Sequence, residues 1–319
     1  MQSLAKPLLR PLPLLGLSTS TLYLATTLLT SKSTSTSTST TKLLTTMSST
    51  TNNPPPIIHP YTPRHTTWPY TSADFTRHDP GPDASFYASP RFVTHIDDAA
   101  IASLRAYYAD TLPLKGRLLD FCSSWISHYP PEIERAARES GELKVTGMGM
   151  NAAELQANDV LNAGRLLVDL NSDPDVAGAL RKEGVIDAGK GDLLDASTCV
   201  VSIDYLTDPV GVLRSVREAT KPGGSVHLAV SNRCFPTKAM GRWLRVDEGE
   251  RLMMVGDYLH FAGWKGIEVV ELSDGRVGKE GGGDADGEAT QQNSLQGLMG
   301  WMGMRGRDPL WVVRAVREV

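Results

Sequence analysis

The sequence predicts a doubly wound α/β fold, built on a mostly parallel, seven-stranded, Rossmann-like sheet. Short apolar runs alternate with amphipathic segments from residue 116 onward, which is typical of strands joined by crossover helices. The run Ser197–Ile203 is apolar almost throughout, as expected for a strand that is covered on both faces. A Lys-Pro-Gly-Gly turn at Lys221–Gly224 separates an amphipathic helix from the apolar strand that follows. These observations place one folded domain at residues 111–319.

The seven strands are assigned from the positions of the apolar runs. They span Gly116–Phe121, Leu143–Met148, Arg165–Leu170, Ser197–Ile203, Ser225–Val230, Ile267–Leu272 and Leu310–Val316. Helix starts are indicated between them by Pro131 in a first turn, by Asn151 as an N-cap with Glu154 three residues on, and by Asp208 before Pro209. A further helical stretch is predicted over Pro236–Gly256.

The Lys221–Gly224 turn has a simple physical basis. Pro222 cannot continue a helix, because it lacks an N–H and clashes with the preceding turn. Gly223 and Gly224 allow positive φ, so the chain can reverse into the next strand. An ordinary helix stop explains the turn as well as a functional motif does, and the strands and helices around it favour the motif.

Residues 53–110 are predicted to form a linker and an N-terminal helical cap. Asn53–Tyr70 is rich in proline and aromatic residues and is expected to be extended. From Asp97 the apolar spacing becomes helical, with Ile101, Leu104 and Tyr108 on one face. Two interpretations stay open for this helix: it closes over a ligand cleft, or it covers a sheet edge.

Residues 1–52 differ from the rest of the chain. No acidic residue precedes Asp74, and Ser and Thr dominate Ser31–Thr51. Such a leader resembles a targeting peptide, so a mitochondrial or other organellar location is expected. A disordered tail is the alternative, and a start at Met47 would give a cytoplasmic form. The apolar stretch Leu12–Leu29 is interrupted by polar residues, so no stable membrane span is expected.

Composition excludes several classes of function. The formal net charge is −4, which argues against nucleic acid as a partner. Cys122, Cys199 and Cys234 form no CxxC pair, so no metal site is expected. No GxGxxG follows the first strand, which argues against a nicotinamide oxidoreductase. Residues 275–296 are Gly-rich and charged, and are predicted to be a disordered insertion.

Ligands in doubly wound sheets bind beyond the carboxyl ends of the strands, so the residues after each strand form the candidate site. Five segments carry a resemblance to a known family. They are Leu119–Pro130, Gly147–Leu155, Asp169–Asn171, Lys221–Gly224 and Ser231–Arg233. On these segments the chain resembles class I S-adenosylmethionine (SAM) methyltransferases, and within them a type 11 methyltransferase-like set from plants, algae and fungi.

The resemblance implies SAM as cofactor and a small molecule as its methyl acceptor. It assigns Asp120 to the loop and the ligand amine, and Asp169 with Leu170 to the adenine. Further cofactor contacts are expected from the residues beside them: Ser123, Ser124, Trp125, Met148, Asn151 and Ile203. For Asp120, Asn151 and Asp169 a purely structural role, as a loop or helix cap, stays open.

The chain departs from the usual pattern of this family at two places. Ser123, Ser124 and Trp125 stand where a glycine-rich turn is usual, and the ribose-binding acid near Gly149 is absent. Loss of that acceptor would weaken ligand binding by roughly 1 to 3 kcal/mol.

A sulfonium already activates its methyl group, so catalysis needs alignment more than a dedicated set of catalytic groups. A general base would assist a hydroxyl acceptor, and the candidates are His128, Asp204, Tyr205 and His260. The alternative function is a non-catalytic binding or assembly protein that keeps the fold, which the missing glycines and acid favour. The acceptor and the oligomeric state are not predicted by the sequence.

Overall fold

The computed structural model describes residues 56–275 and 307–318. The chain separates into two units, Met1–Asn53 and Pro54–Val319, and the described residues all belong to the second. The predicted leader over residues 1–52 lies outside the described residues. The predicted disordered insertion, residues 275–296, also lies outside the described residues from residue 276 onward.

A single sheet forms the centre of the second unit. Its eight strands are β1 Ile57–Pro60, β2 Gly116–Phe121, β3 Leu143–Gly149, β4 Gly164–Leu167, β5 Leu194–Val200, β6 Thr220–Ser231, β7 Lys265–Ser273 and β8 Leu310–Val316. The strand order is β1-β7-β8-β6-β5-β2-β3-β4. The pairs from β6 to β4 are parallel, whereas β8 is antiparallel to both of its neighbours and β1 is antiparallel to β7.

Helices cover both faces of this sheet. They are α1 Asp83–Phe86, α2 Asp98–Thr111, α3 Pro131–Arg135, α4 Ala152–Ala157, α5 Val176–Lys182, α6 Pro209–Ala219 and α7 Glu248–Phe261. Buried side chains of α5, α6 and α7 belong to one apolar core, and those of α2, α3 and α4 belong to a second. In the described parts of the chain, no helix has the length and apolar character needed to cross a bilayer.

The predicted doubly wound α/β fold with a mostly parallel, Rossmann-like sheet is confirmed, with four corrections. The third predicted strand, Arg165–Leu170, spans Gly164–Leu167 instead. Ile57–Pro60, which was predicted to be linker, adds an eighth strand at the edge. The fourth predicted strand ends at Val200 instead of Ile203. Residues 236–247 are turns, and the helix predicted over Pro236–Gly256 instead spans Glu248–Phe261, capped by Asp247.

The local signals for helix ends are confirmed by the caps. Asp208 accepts a hydrogen bond from Gly211 N at the start of α6, and Asn151 caps α4. After α6, Gly223 has φ 79° and its N–H donates to Arg317 O over 2.8 Å. α6 ends at Ala219, before the glycines, and Gly223 ties the start of β6 to the chain after β8.

Strand order fixes where a ligand can bind. The chain runs outward through β2, β3 and β4 on one side and through β5 and β6 on the other, so the direction reverses between β2 and β5. The loops that leave these two strands diverge and leave a crevice at their carboxyl ends. The sheet therefore presents its binding edge where the sequence predicted the candidate site.

An N-terminal arm, residues 61–70, is anchored to α7 by one buried carboxylate. Asp257 is fully buried and accepts hydrogen bonds from Tyr61, Tyr70 and Arg64, the last over 2.7 Å. These bonds satisfy both carboxylate oxygens in the interior, where an unpaired charge would be costly. The segment that follows the arm, residues 77–97, is thereby directed across the carboxyl edge of the sheet.

Candidate functional site

A cavity of about 350 Å³ lies at this carboxyl edge. Residues that follow β2, β3, β4, β5 and β6 line it, and residues 83–95 contribute the remaining side. The volume falls at the lower end of the range that small-molecule and cofactor sites occupy. It brings together nine predicted site residues: Asp120, Ser123, Ser124, His128, Met148, Asn151, Asp169, Leu170 and Tyr205.

Backbone strain is concentrated at this cavity. In the described residues, the non-glycine residues with positive φ are Cys122 and His128, both at 55°, and Val201 at 41°, and all three line the cavity. Each such residue costs on the order of 1–3 kcal/mol and persists only where its surroundings enforce it. Cys122 and His128 bracket the loop after β2, so this loop adopts without glycine a conformation that normally requires it.

Asp120 holds this loop in shape. Its Oδ2 accepts from Ser123 Oγ over 2.6 Å and Ser127 Oγ over 2.7 Å, and its Oδ1 accepts from Thr198 Oγ1 over 3.2 Å. Burial raises the pKa of Asp120 to about 6, although the three hydroxyl donors oppose the rise. The carboxylate lines the cavity and is already fully engaged in positioning the loop.

The loop also packs tightly on the end of β3. Ser123 N donates to Met148 O over 2.8 Å, and a Cβ at Gly149 would lie 2.2 Å from Ser123 O. Only glycine permits this approach. Trp125, a predicted cofactor contact, does not line the cavity. Its Nε1 instead donates to Val93 O over 3.1 Å, and its ring contacts Phe92.

Asn151 has a structural role. Its Oδ1 accepts from Ala153 N and Glu154 N, and its Nδ2 donates to Tyr87 O and Ala88 O. Although the residue lines the cavity, this amide is saturated by protein partners. The capping interpretation therefore accounts for all of its hydrogen bonds.

Glu154 is a site residue that the sequence assigned only to a cap. It is buried, lines the cavity, and accepts from Arg91 N through Oε1 over 2.7 Å. The sequence signal for Glu154 was an acidic residue in the first helical turn after the second predicted strand, Leu143–Met148. A short helix carries this acid back over the strand end, which sequence spacing alone does not reveal.

Asp169 and Leu170 follow β4 and line the cavity. Asp169 accepts from Asn171 N over 3.0 Å and from Ser172 Oγ over 2.8 Å, so it also stabilises its own turn. Asn171 connects this turn to its surroundings, donating to Asp83 Oδ2 over 2.8 Å and to Tyr205 O over 2.9 Å. The turn after β4 is thus fixed relative to the loop after β5 and to residues 83–95, which cover the cavity.

Two predicted residues after β5 lie outside the cavity. Ile203 is buried in the apolar core, and Asp204 is 2 % exposed and absent from the cavity lining. The prediction placed them at the strand end, but β5 stops earlier, so Val201, Ser202 and Tyr205 line the cavity instead. Burial raises the pKa of Asp204 from 3.8 to about 8, and its Oδ2 has no hydrogen-bond partner.

The candidate bases differ in their placement. His260 ends α7 and does not line the cavity, which removes it from the candidates. His128 lines the cavity, and its buried Nδ1 has no hydrogen-bond partner. Burial, together with Arg105 and His95, lowers the pKa of His128 to about 4. Burial raises the pKa of Tyr205, whose hydroxyl accepts from Phe235 N over 2.8 Å.

A buried ion-pair network holds the covering segment, residues 83–95, in place. Asp83 is 4 % exposed and contacts Arg77 Nη1 at 2.7 Å and Lys238 Nζ at 3.2 Å. Lys238 is 1 % exposed, and also pairs with Asp79 and donates to Gly81 O. Burial opposes ionisation of Asp83, but hydrogen bonds from Arg77, Asn171 and Lys238 outweigh it and lower the pKa. Buried charges therefore anchor the start of the cover, in addition to the aromatic contacts of Phe86 and His95 with Phe235.

Comparison with known proteins finds no matching family model and no matching curated protein. Among solved structures, Haemonchus contortus phosphoethanolamine N-methyltransferase 2, in complex with SAM, is 14 % identical with a TM-score of 0.39. The match covers 68 % of this chain and 52 % of that one, so the chain spans about half the length of that enzyme.

Two further structures have similar scores. A SAM-dependent methyltransferase from Archaeoglobus fulgidus is 12 % identical with a TM-score of 0.40, covering 68 % of this chain and 94 % of that one. The [4+2]-cyclase SpnF is 16 % identical with a TM-score of 0.42, covering 74 % and 92 %. Similarity at these levels assigns neither activity nor substrate.

Proposed function

We propose that the cavity binds SAM and that the chain is a SAM-dependent methyltransferase for a small-molecule acceptor. The observation that carries this proposal is a cavity at the switch point of the sheet, bordered by all three strained non-glycine residues of the described chain. Strain at a ligand-binding edge, together with a lining residue, His128, whose buried Nδ1 has no partner, indicates a site preorganised for a polar ligand.

The residues present fit such a ligand in three places. The loop Cys122–Ser124, held by Asp120, would hold the methionine end, and Asp169 with Leu170 would hold the adenine. Glu154 lines the cavity just after the end of β3, and its carboxylate would accept from the ribose hydroxyls. When bound, SAM supplies a methyl group that its sulfonium already activates.

The chain's own groups then bind and orient the acceptor and exclude water. His128 is neutral near pH 7 because its pKa is about 4. Its Nδ1 can therefore accept a hydrogen bond from the small molecule that receives the methyl group. The raised pKa of Tyr205 keeps its hydroxyl protonated, so it serves as a donor or a positioning contact. The cover supplies Tyr87 and Val93 and closes the cavity toward solvent.

Substituting Glu154 by glutamine should weaken binding of S-adenosylhomocysteine (SAH) about tenfold, because one charged acceptor is replaced by a neutral one. Glutamine keeps an oxygen for Arg91 N, so the fold should be preserved. Asp169→Ala should also weaken binding. Glu139→Gln, at an exposed position after α3, is the matched control and should bind as wild type.

Thermal-shift titration of the full chain with SAH measures these affinities. Equal SAH affinity for wild type, Glu154→Gln and Asp169→Ala would place the ligand elsewhere and contradict the assignment.

A non-catalytic binding or assembly protein is the second candidate, and one observation favours it. Asp120 and Asn151, which a SAM site would use, have their hydrogen-bonding atoms engaged by protein partners. A methyltransferase-fold protein that no longer binds cofactor would have these polar groups hydrogen-bonded to other protein groups. Wild-type protein that binds neither SAM nor SAH would favour this candidate.

A further inference from the structure

The guanidinium of Arg91, in the covering segment, lies in surroundings that the proposed cofactor site does not explain. Its guanidinium carbon lies 4.4 Å from the centre of the Phe86 ring and 5.4 Å from that of Phe235. Its Nη2 donates to Phe86 O over 3.0 Å. Its Nη1 is buried without a hydrogen-bond partner, and no carboxylate of the described residues forms an ion pair with the side chain.

A buried guanidinium nitrogen without a partner is costly, because the group loses water and gains nothing in exchange. Aromatic faces offset part of that loss through cation–π attraction, and they also fix the plane of the guanidinium. Oxyanions are the ligands that match this planar fork. Arg91 lines the cavity, so an anionic ligand inside it would supply the missing acceptor.

The guanidinium of Arg91 packs on Phe86, Tyr87 and Phe235, whereas the backbone N–H of Arg91 donates to Glu154, a proposed cofactor contact. The proposed cofactor contacts follow β2, β3 and β4, whereas the ring of Phe235, beneath Arg91, follows β6. Phe235 also contacts Tyr205 and His95, so the surroundings of the guanidinium are largely aromatic. This end of the cavity is therefore suited to an apolar body with one charged group.

The other charged residues near this end of the cavity do not neutralise the positive charge of Arg91. Arg233 also lines the cavity, but Asp308 Oδ1 already pairs with its Nε at 2.7 Å. Asp83 is the acid nearest in the cover, and Arg77 and Lys238 neutralise it. Glu154 also lines the cavity, but its Oε1 accepts from the backbone N–H of Arg91 and not from the guanidinium. Among the described residues, the Arg91 guanidinium is thus a cavity cation that forms no ion pair.

We propose that the methyl acceptor is an apolar small molecule with one oxyanion group, and that Arg91 Nη1 binds this group. The proposal rests on the proposed methyltransferase function and adds the class of acceptor to it. A carboxylate and a phosphate share the required chemistry, and the test distinguishes them.

The test is calorimetric titration of the full chain saturated with SAH, using four probes of similar shape. Benzoate and phenyl phosphate are the oxyanions, benzamide is the neutral analogue, and benzylamine is the cationic one. Wild type should bind at least one oxyanion roughly tenfold more tightly than benzamide or benzylamine. Arg91→Gln should remove this preference, and Arg91→Lys should retain part of it.

Two controls separate this proposal from the one it rests on. SAH affinity of Arg91→Gln should stay within about threefold of wild type, because the bond to Glu154 is made by the backbone N–H, which the substitution keeps. Arg214→Gln, at an exposed position on α6, should bind every probe as wild type does.

No preference for either oxyanion, tighter binding of benzylamine, or an unchanged preference in Arg91→Gln would each overturn the acceptor class. Loss of SAH binding by wild type would instead overturn the methyltransferase proposal.

Discussion

Replacing Asp83 with alanine is expected to lower the free energy of unfolding by about 3 to 5 kcal/mol, the range for removing one partner of a buried ion pair. The change leaves Lys238, which is 1 % exposed, and Arg77 without their shared carboxylate. Asn171 loses its bond to the cover as well, so the turn after β4 is loosened. For a domain of this size the melting temperature should fall by roughly 10 °C.

Chemical denaturation of wild type, Asp83→Ala, Arg77→Met and the double variant measures this effect. The double-mutant cycle should show coupling between the two residues, because each single change strands the other charge. Asp79→Asn is the matched control: this carboxylate also pairs with Lys238 but is 44 % exposed, and little change is expected. A loss below about 1 kcal/mol in Asp83→Ala would mean that the cover is not held by this network.

Asp204→Asn is expected to stabilise the protein at alkaline pH and to change little below pH 4. The pKa of this buried carboxyl rises from 3.8 to about 8 on folding, because burial disfavours its charged form. The folded state therefore binds more protons than the unfolded state between these values, and wild-type stability falls as pH rises through the window. Asparagine mimics the protonated acid and is free of this dependence.

The gain should grow with pH by up to about 1.4 kcal/mol per unit between these two pKa values, reaching on the order of 5 kcal/mol near pH 8. Denaturation of both proteins at several values from pH 4 to pH 9 measures it. Asp159→Asn, at an exposed position after α4, should give no such trend. Parallel stability curves for wild type and Asp204→Asn would show that Asp204 ionises freely in the folded protein.

The fold could be predicted from sequence where a local pattern decides the structure. Apolar runs placed the strands of the sheet, and Asp208, Asn151 and Gly223 marked helix and turn ends through hydrogen bonds that span only a few residues. Strand β1 escaped prediction because pairing of Ile57–Pro60 with β7 depends on residues more than 200 positions away. The end of β5 was misplaced because Val201 leaves the strand through a strained φ of 41°, against its own preference.

The candidate site could be predicted only in part. Asp120, near the end of β2, and Asp169, shortly after β4, line the cavity as expected, because strand ends share one edge of the sheet. Arg91 and Glu154 were missed as cavity residues, because they meet across a contact between the cover and α4 that no local pattern encodes. Asp204 and Ile203 were wrongly assigned to the cavity because a shift of a few residues at the end of a strand moves side chains into the core.

Calorimetric titration of the wild-type full chain with SAH tests most directly whether the cavity accepts an adenosyl ligand. One site per chain with a dissociation constant on the order of 10 μM, and displacement of SAH by SAM, is the predicted result. No heat at millimolar SAH, from protein whose circular dichroism shows an intact α/β fold, would contradict it.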